Sequence, residues 1–100
     1  MGTLSLSIGW AINSLKFGLK VRRRGWRDKS KYLWFKPPVK IQADWCKDPK
    51  LKKLAEGNGG VIDGLGTICM YLEVDGVPTI QTGWLPTLED LLSDDWEEVE

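Results

Sequence analysis

The pattern of apolar and polar residues at the start of the chain predicts a helix and then a β-hairpin. In residues 8–17, IGWAINSLKF, apolar residues recur three or four positions apart, with Ser7 as a suitable N-cap. Residues 19–24 alternate between apolar and basic positions, and residues 31–36, KYLWFK, are rich in aromatic residues, so both predict strands. We therefore expect a hairpin with the region of Trp26 at its tip.

The second half of the chain has a different pattern. Residues 66–74, GTICMYLEV, are almost continuously apolar, which predicts a central strand, and residues 77–84 return after an Asp-Gly turn as an edge or bulged strand containing Pro78. Thr87 and Asp90 have the spacing of a capping box for a short helix. We expect this helix to bury its leucines (Leu88, Leu91 and Leu92) and a last strand to follow over residues 96–99.

Between the two halves lies a segment that reads as an insertion at about residues 37–64. Asp48 and Pro49 have the N-cap and first-turn positions of a helix over residues 49–56, and a glycine-rich stretch follows it. We expect the lysines of this segment (Lys47, Lys50, Lys52 and Lys53) to form a solvated face. The order of elements predicts one α+β domain over residues 1–100: an N-terminal helix, then an antiparallel β-sheet with a helical insertion, and a short C-terminal helix before the last strand.

Charge is distributed very unevenly along a chain whose formal net charge is zero. All 14 Lys and Arg lie in residues 1–53, whereas residues 54–100 hold acidic residues and no basic ones. Such a division is typical of a basic binding face, of two halves that pair within one domain, or of protomers that pair with each other. Pairing within one domain is the commonest of the three. The balanced total removes the general attraction to nucleic acid that a strongly basic domain has.

Composition argues against several classes of protein. The chain has no histidine and two cysteines without metal-ligand spacing, so a zinc site and histidine-based catalysis are nearly excluded. The carboxylates cluster in the acidic tail, where a solvated surface is the usual explanation. No apolar run approaches the length of a membrane span. We therefore expect no catalysis, no cofactor and no membrane partner, and free thiols suited to a reducing cytosol.

The candidate chemistry begins in residues 21–29, VRRRGWRDK. A tryptophan at a loop tip usually folds back onto the core, but the face of Trp26 is also suited to stacking on a nucleobase. Arg23, Arg24 and Lys29 are then positioned for phosphate oxygens. If Arg23 shares the buried side of its strand with Val21, its charge requires an anion, which is either an acidic residue of the second half or a ligand phosphate.

A second set of candidates lies near the C-terminus. Trp84 follows a glycine at a predicted strand end, which makes it a second candidate for stacking. Thr87 and Asp90 are most simply helix caps. The same hydroxyl and carboxylate would suit a ribose or a base edge if the start of the helix faced a pocket.

Both ends of the chain resemble a phage family, the second type of Thoeris anti-defence protein. The family's N-terminal pattern, F-G-x-A-L-x-x-L-K-x-G and then K-V-x-R-x-G-W-N-G-K, aligns with IGWAINSLKFGLKVRRRGWRDK here. Its C-terminal pattern, D-G and then G-W-x-x-S-Q-x-D-x-L-x-x-D-W, aligns with the segment that ends in GWLPTLEDLLSDDW. The resemblance covers about 80 of the 100 residues. Thr87-Leu88 replaces the family's Ser-Gln, which removes one polar side chain from the aligned site.

The resemblance implies a non-enzymatic sponge that acts in the cytoplasm of an infected bacterial host. Such proteins sequester a cyclic nucleotide immune signal, chiefly a glycocyclic ADP-ribose, and some members also bind cyclic di- or oligonucleotides. The resemblance also implies a homotetramer with ligand pockets between its protomers. The ligand-binding residues expected here are Arg23, Arg24, Trp26, Lys29, Trp84, Thr87 and Asp90. The alternative hypotheses are a nucleic-acid-binding module that uses the basic N-terminal half and, third, an enzyme that degrades the nucleotide.

Overall fold

A computed structural model describes residues 6–100 and confirms the α+β fold predicted from the sequence. The chain divides into two compact units. The first consists of residues 6–36 and 67–100, and the second is Pro37–Gly66, close to the insertion predicted at about 37–64. No helix among residues 6–100 has the length and apolar character needed to cross a membrane.

The first unit contains a helix, five strands and a short second helix around one sheet. Its elements are α1 (Ile8–Lys16), β1 (Lys20–Arg23), β2 (Tyr32–Lys36), β5 (Thr67–Val74), β6 (Val77–Thr82), α3 (Leu88–Leu92) and β7 (Trp96–Val99). The second unit contains β3 (Val39–Gln42), a 3-10 turn (Ala43–Trp45), α2 (Pro49–Gly57) and β4 (Val61–Gly64). Every predicted helix and strand is present within about two residues, and β3 and β4 were not predicted.

The sheet of the first unit is antiparallel and has the order β6-β5-β2-β1-β7. The predicted hairpin of β1 and β2 is confirmed, with Val21 opposite Leu33. The apolar strand β5 is interior, between β6 and β2, but β2 is the middle strand. Pro78 lies on β6, an edge strand, where a residue without an N–H can be accommodated.

Local capping explains where the helices begin and end. The Ser7 hydroxyl accepts a hydrogen bond from the backbone N–H of Trp10 at 3.3 Å, as the sequence predicted. The chain leaves α1 at Gly18, whose φ of 88° lies in the left-handed region that favours glycine. Thr87 and Asp90 form the predicted capping box at the start of α3.

The core lies on one face of the sheet, beneath α1. Val21, Leu33 and Met70 lie side by side on β1, β2 and β5, and they cluster with Ala11 and Leu15 of α1. Three tryptophans (Trp26, Trp84 and Trp96) complete this cluster. We call this side of the sheet the core face.

One expectation about α3 is wrong. Leu88 and Leu92 are 72% and 73% exposed, and Leu91 is exposed as well, although their spacing predicted that they would be buried. The buried residue of this helix is Asp90. Because Asp90 binds groups on β1 and in the hairpin turn, the helix turns its polar side inward and its leucines outward.

The second unit pairs β3 with β4 and has a small interior of its own. Ala43 and Ala55 are its buried apolar residues. The helix α2 begins as predicted, with Asp48 accepting a hydrogen bond from the backbone N–H of Lys50 at 2.9 Å. Its lysines are exposed, as expected for a solvated face.

We expect Leu33→Ala to lower the free energy of unfolding by about 2–5 kcal/mol, because it removes a fully buried side chain from the middle strand. The matched control is Leu85→Ala, an identical change at an exposed position, which should alter stability by less than about 0.5 kcal/mol. Urea denaturation followed by tryptophan fluorescence measures both. Equal losses in the two variants would contradict the placement of the core.

Candidate functional site

Where β1 pairs with β7, basic residues of the first half contact acidic residues of the second half. These strands pair antiparallel, so that the arginines of the hairpin lie beside the acidic tail. The Nε atom of Arg22 donates to Oε2 of Glu97 at 2.9 Å, and Nε of Arg24 lies 4.0 Å from Oε1 of the same residue. The two oppositely charged halves therefore pair within one chain at this point, which was the commonest of the three explanations.

Arg23 is the buried member of this set, with 7% of its surface exposed. Its guanidinium makes a two-point contact with Asp95, from Nε to Oδ1 at 2.8 Å and from Nη2 to Oδ2 at 3.4 Å. Its Nη1 atom donates to Oδ1 of Asp90 at 2.9 Å and to Oε1 of Glu89 at 3.3 Å. The anion that the buried arginine requires is thus supplied by acidic residues of the second half.

The network shifts the pKa values of its members in opposite directions. The hydrogen bond from Arg23 is the largest influence on Asp95 and, against the effect of burial, holds the pKa of that carboxyl below its usual range. Burial by itself would raise the pKa of Asp90, but hydrogen bonds from Thr87, Arg23 and Trp26 outweigh it and lower the pKa. The pKa of Arg23 is raised, chiefly by its hydrogen bond to Asp95. All three groups are therefore charged at neutral pH.

Asp95 also determines the shape of the hairpin turn. Its Oδ2 atom accepts a hydrogen bond from the backbone N–H of Gly25 at 2.8 Å. A Cβ atom at residue 25 would lie 2.7 Å from this oxygen, closer than van der Waals contact allows. A side chain at residue 25 would therefore displace the Asp95 carboxylate, so glycine is favoured at this position of the turn.

The sequence left open whether Trp26 faces ligand or core, and the structure packs it into the core. Trp26 and Trp84 are each 9% exposed, and both rings meet Trp96 edge to face, with centroids 5.5 Å and 6.1 Å apart. The indole N–H of Trp26 donates to Oδ1 of Asp90 at 3.3 Å. The Lys31 ammonium lies 4.8 Å from the centroid of the Trp26 ring. Stacking a base on either ring would require side-chain rearrangement.

The remaining candidates lie on the surface. Arg24 and Lys29 are exposed, and the Lys29 ammonium donates to the backbone carbonyl of Arg24. Thr87 is also exposed, and its hydroxyl accepts from the backbone N–H of Asp90 at 3.1 Å. The seven candidates thus divide into a buried group (Arg23, Trp26, Trp84 and Asp90) and an exposed group (Arg24, Lys29 and Thr87).

A row of aromatic side chains on the opposite side of the sheet was missed. Tyr32 and Tyr71 lie opposite each other on β2 and β5, and their stacked rings have centroids 5.0 Å apart. The centroid of the Trp34 ring is 5.9 Å from that of Tyr32. The Lys20 ammonium lies 5.1 Å from the centroid of the Tyr32 ring. We call Tyr32, Trp34 and Tyr71 the aromatic face.

Neither helix of the first unit covers the aromatic face. Side chains alternate along a strand, so Tyr32 and Trp34 point away from the core face to which Leu33 belongs. The helices α1 and α3 both contact groups on the core face. The alternation of aromatic and apolar residues in KYLWFK contained this signal. That Tyr71 stands beside Tyr32 depends on the pairing of β2 with β5, which the residue pattern does not specify.

This site can make two kinds of non-covalent contact. It combines exposed cations on the hairpin with half-buried aromatic rings on the sheet, which are the groups that contact phosphates and nucleobases. Among residues 6–100, the structure brings together no group of three or more acidic or cysteine side chains suited to a metal ion.

Comparison with known proteins identifies one family. The family model described as Tad2-like, the Thoeris anti-defense 2-like domain, matches residues 6–99. Both ends of the chain that carried the resemblance in the sequence lie within this match. No curated protein matches the chain.

We expect Gly25→Ala to lower the free energy of unfolding by about 1–3 kcal/mol, because the added methyl group forces Asp95 away from the turn and from Arg23. The control is Gly57→Ala in α2, where a Cβ atom meets nothing within 4 Å, and where the change should be neutral or stabilising. Thermal and urea denaturation report both values. If Gly25→Ala is as stable as the wild type, the contact between Asp95 and the turn is not structurally important.

The lowered pKa values of Asp90 and Asp95 predict a loss of stability in acid. A carboxyl whose pKa is lowered by folding contributes fully above its ordinary pKa of about 4, and this contribution is lost as the pH falls through the folded-state value. We expect Asp95→Asn to be less stable than the wild type by about 1.5–3 kcal/mol at pH 7, and the difference to shrink below about pH 4. Urea denaturation at pH 7, 5 and 3 measures it, with the exposed Asp94→Asn as control. A difference that is independent of pH would refute the ion pair's role.

Proposed function

The chain belongs to the Thoeris anti-defense 2-like family, and we propose that it acts by binding a cyclic nucleotide immune signal and holding it without chemical change. Family membership assigns an anti-defence role against the Thoeris system. The ligand we propose is of the glycocyclic ADP-ribose type, with cyclic di- or oligonucleotides as further ligands. The protein would act as a homotetramer in the cytoplasm of the infected bacterium and would deplete the signal by sequestration.

The observation that carries this proposal is the combination of cations and aromatic rings around one hairpin. The strand β1 presents Lys20 and Arg22 on the same side of the sheet as Tyr32, its neighbour on β2. The side chain of Arg22 donates to the backbone carbonyl of Lys29 at 2.9 Å, which links this strand to the exposed turn. The Lys20 ammonium lies 5.1 Å from the centroid of the Tyr32 ring, so a cation suited to a phosphate and a ring suited to a base are neighbours here.

The buried and exposed candidates have different parts in this proposal. Arg24 and Lys29 contact phosphate oxygens, because both carry exposed charge on the turn. Arg23, Trp26 and Asp90 hold the turn in place. Base stacking falls to the aromatic face, since the rings of Trp26 and Trp84 are already packed in the core.

Nucleic-acid binding by the basic half is less well supported than small-ligand binding. Arg22 and Arg23 lie 2.9 Å and 2.8 Å from carboxylate oxygens of the acidic half. These contacts neutralise much of the charge that a polymer of phosphates would require.

The proposal is tested by recovery of ligand. The protein is incubated with a panel of cyclic nucleotides that includes a glycocyclic ADP-ribose, free ligand is removed by filtration, and the retained fraction is denatured by heat and chromatographed. We expect intact nucleotide to be released only after heating. Release of an altered nucleotide would mean catalysis, and no depletion of any nucleotide would contradict the proposal.

We expect the double variant Arg24→Ala, Lys29→Ala to weaken nucleotide binding about tenfold for each side chain removed, since a hydrogen bond to a charged group contributes about 1.5 kcal/mol or more. The control Lys16→Ala, Lys52→Ala removes the same charge from exposed positions elsewhere and should bind as the wild type does. Isothermal titration calorimetry measures both affinities. Equal affinities in the two double variants would remove Arg24 and Lys29 from the site.

A further inference from the structure

Two exposed apolar surfaces on this chain carry opposite charge. The first is the outward side of α3, where Leu88, Leu91 and Leu92 are exposed. Glu89 beside them has 80% of its side chain exposed, and Asp94 follows in the next turn of chain. Residues 54–100 contain no Lys or Arg, so the residues that follow one another along this surface carry only acidic charge. Glu89 also lies 3.3 Å from Nη1 of the buried Arg23, and its side chain stays exposed. We call it the α3 surface.

The second lies on α2 in the other unit. Leu54 is 62% exposed and Leu51 is also exposed, and the only buried residue of the helix is Ala55. An open groove of about 620 Å³ runs along this helix, lined by Lys50, Lys53, Leu54, Gly57 and Asn58. We call it the α2 surface. Apolar side chains framed by lysines are the chemical complement of the α3 surface.

We propose that the α3 surface of one copy of this chain docks on the α2 surface of a second copy. Leucines on both sides leave water together, while Glu89 and Asp94 approach Lys50 and Lys53. A symmetric contact of α3 with α3, or of α2 with α2, brings like charges together and is disfavoured. The nine-residue α2 is about 13 Å long and α3 about 7 Å, so the shorter helix lies within the length of the longer one.

Each copy offers one α3 surface and one α2 surface. Two copies therefore either make this contact twice, reciprocally, or make it once and leave one surface on each copy for a further partner. This interface is independent of the nucleotide and of the residues assigned to its binding.

The test uses two variants that each disable one surface. The first is Leu88→Gln, Leu92→Gln, and the second is Leu51→Gln, Leu54→Gln. Glutamine keeps the size and the helix preference of the side chain without its apolar character. All four positions are exposed, so both variants are expected to fold, and circular dichroism verifies this. The matched control is Val77→Gln, Ile80→Gln, which removes two exposed apolar side chains from the edge strand β6.

Sedimentation velocity over a range of concentrations gives the result. We expect the wild type and the control to form the same assembly, and each surface variant to sediment as a smaller species. Mixing the two surface variants in equal amounts should give a species larger than either alone, because each retains the surface that the other has lost. The proposal is overturned if either surface variant sediments like the wild type, or if the mixture is no larger than its components.

Discussion

The ion pairs of the buried Arg23 guanidinium are the interaction on which the hairpin turn, α3 and the start of β7 depend. The guanidinium lies on the core side of β1, and its charge is balanced by Asp95, just before β7, and by Asp90 in α3. One side chain therefore joins the hairpin, the short helix and the last strand. The Asp95 carboxylate also accepts a hydrogen bond from the backbone N–H of Gly25, and the Asp90 carboxylate accepts one from the indole N–H of Trp26. Removing the guanidinium would leave two largely buried carboxylates without their cation, which is far more destabilising than the loss of a surface ion pair.

This network separates the residues that support the proposed ligand site from those that are free to contact ligand. Arg23 and Asp90 satisfy each other's charge, so neither has an unmet requirement for a phosphate or a ribose. Arg24 and Lys29 remain exposed on the turn, and the aromatic face remains uncovered by the helices of its unit. A turn held by several hydrogen bonds that presents exposed cations suits the proposed binding of a small anion, because a preorganised frame loses little conformational entropy on binding.

The same network explains the unusual orientation of α3. Its capping residue Asp90 is also the partner of Arg23, so the helix must direct that side chain to the core. The leucines on the other side are then left exposed, against their spacing in the sequence. Exposed apolar surface of this kind on a small protein commonly marks a contact with another molecule. The lysine-framed groove on α2 offers such a contact on a second copy of the chain.

The sequence by itself determined the helices, the capping residues and the strands of the first unit, because caps, turns and side-chain alternation act between residues a few positions apart. It also showed that a buried Arg23 needs an anion, since that follows from the cost of burying any charge. Only the tertiary structure decided that this anion is Asp95, 72 positions away, that Trp26 joins the core, and that Tyr71 stands beside Tyr32. These outcomes depend on which distant strands become neighbours, and the residue pattern of each segment is compatible with more than one neighbour.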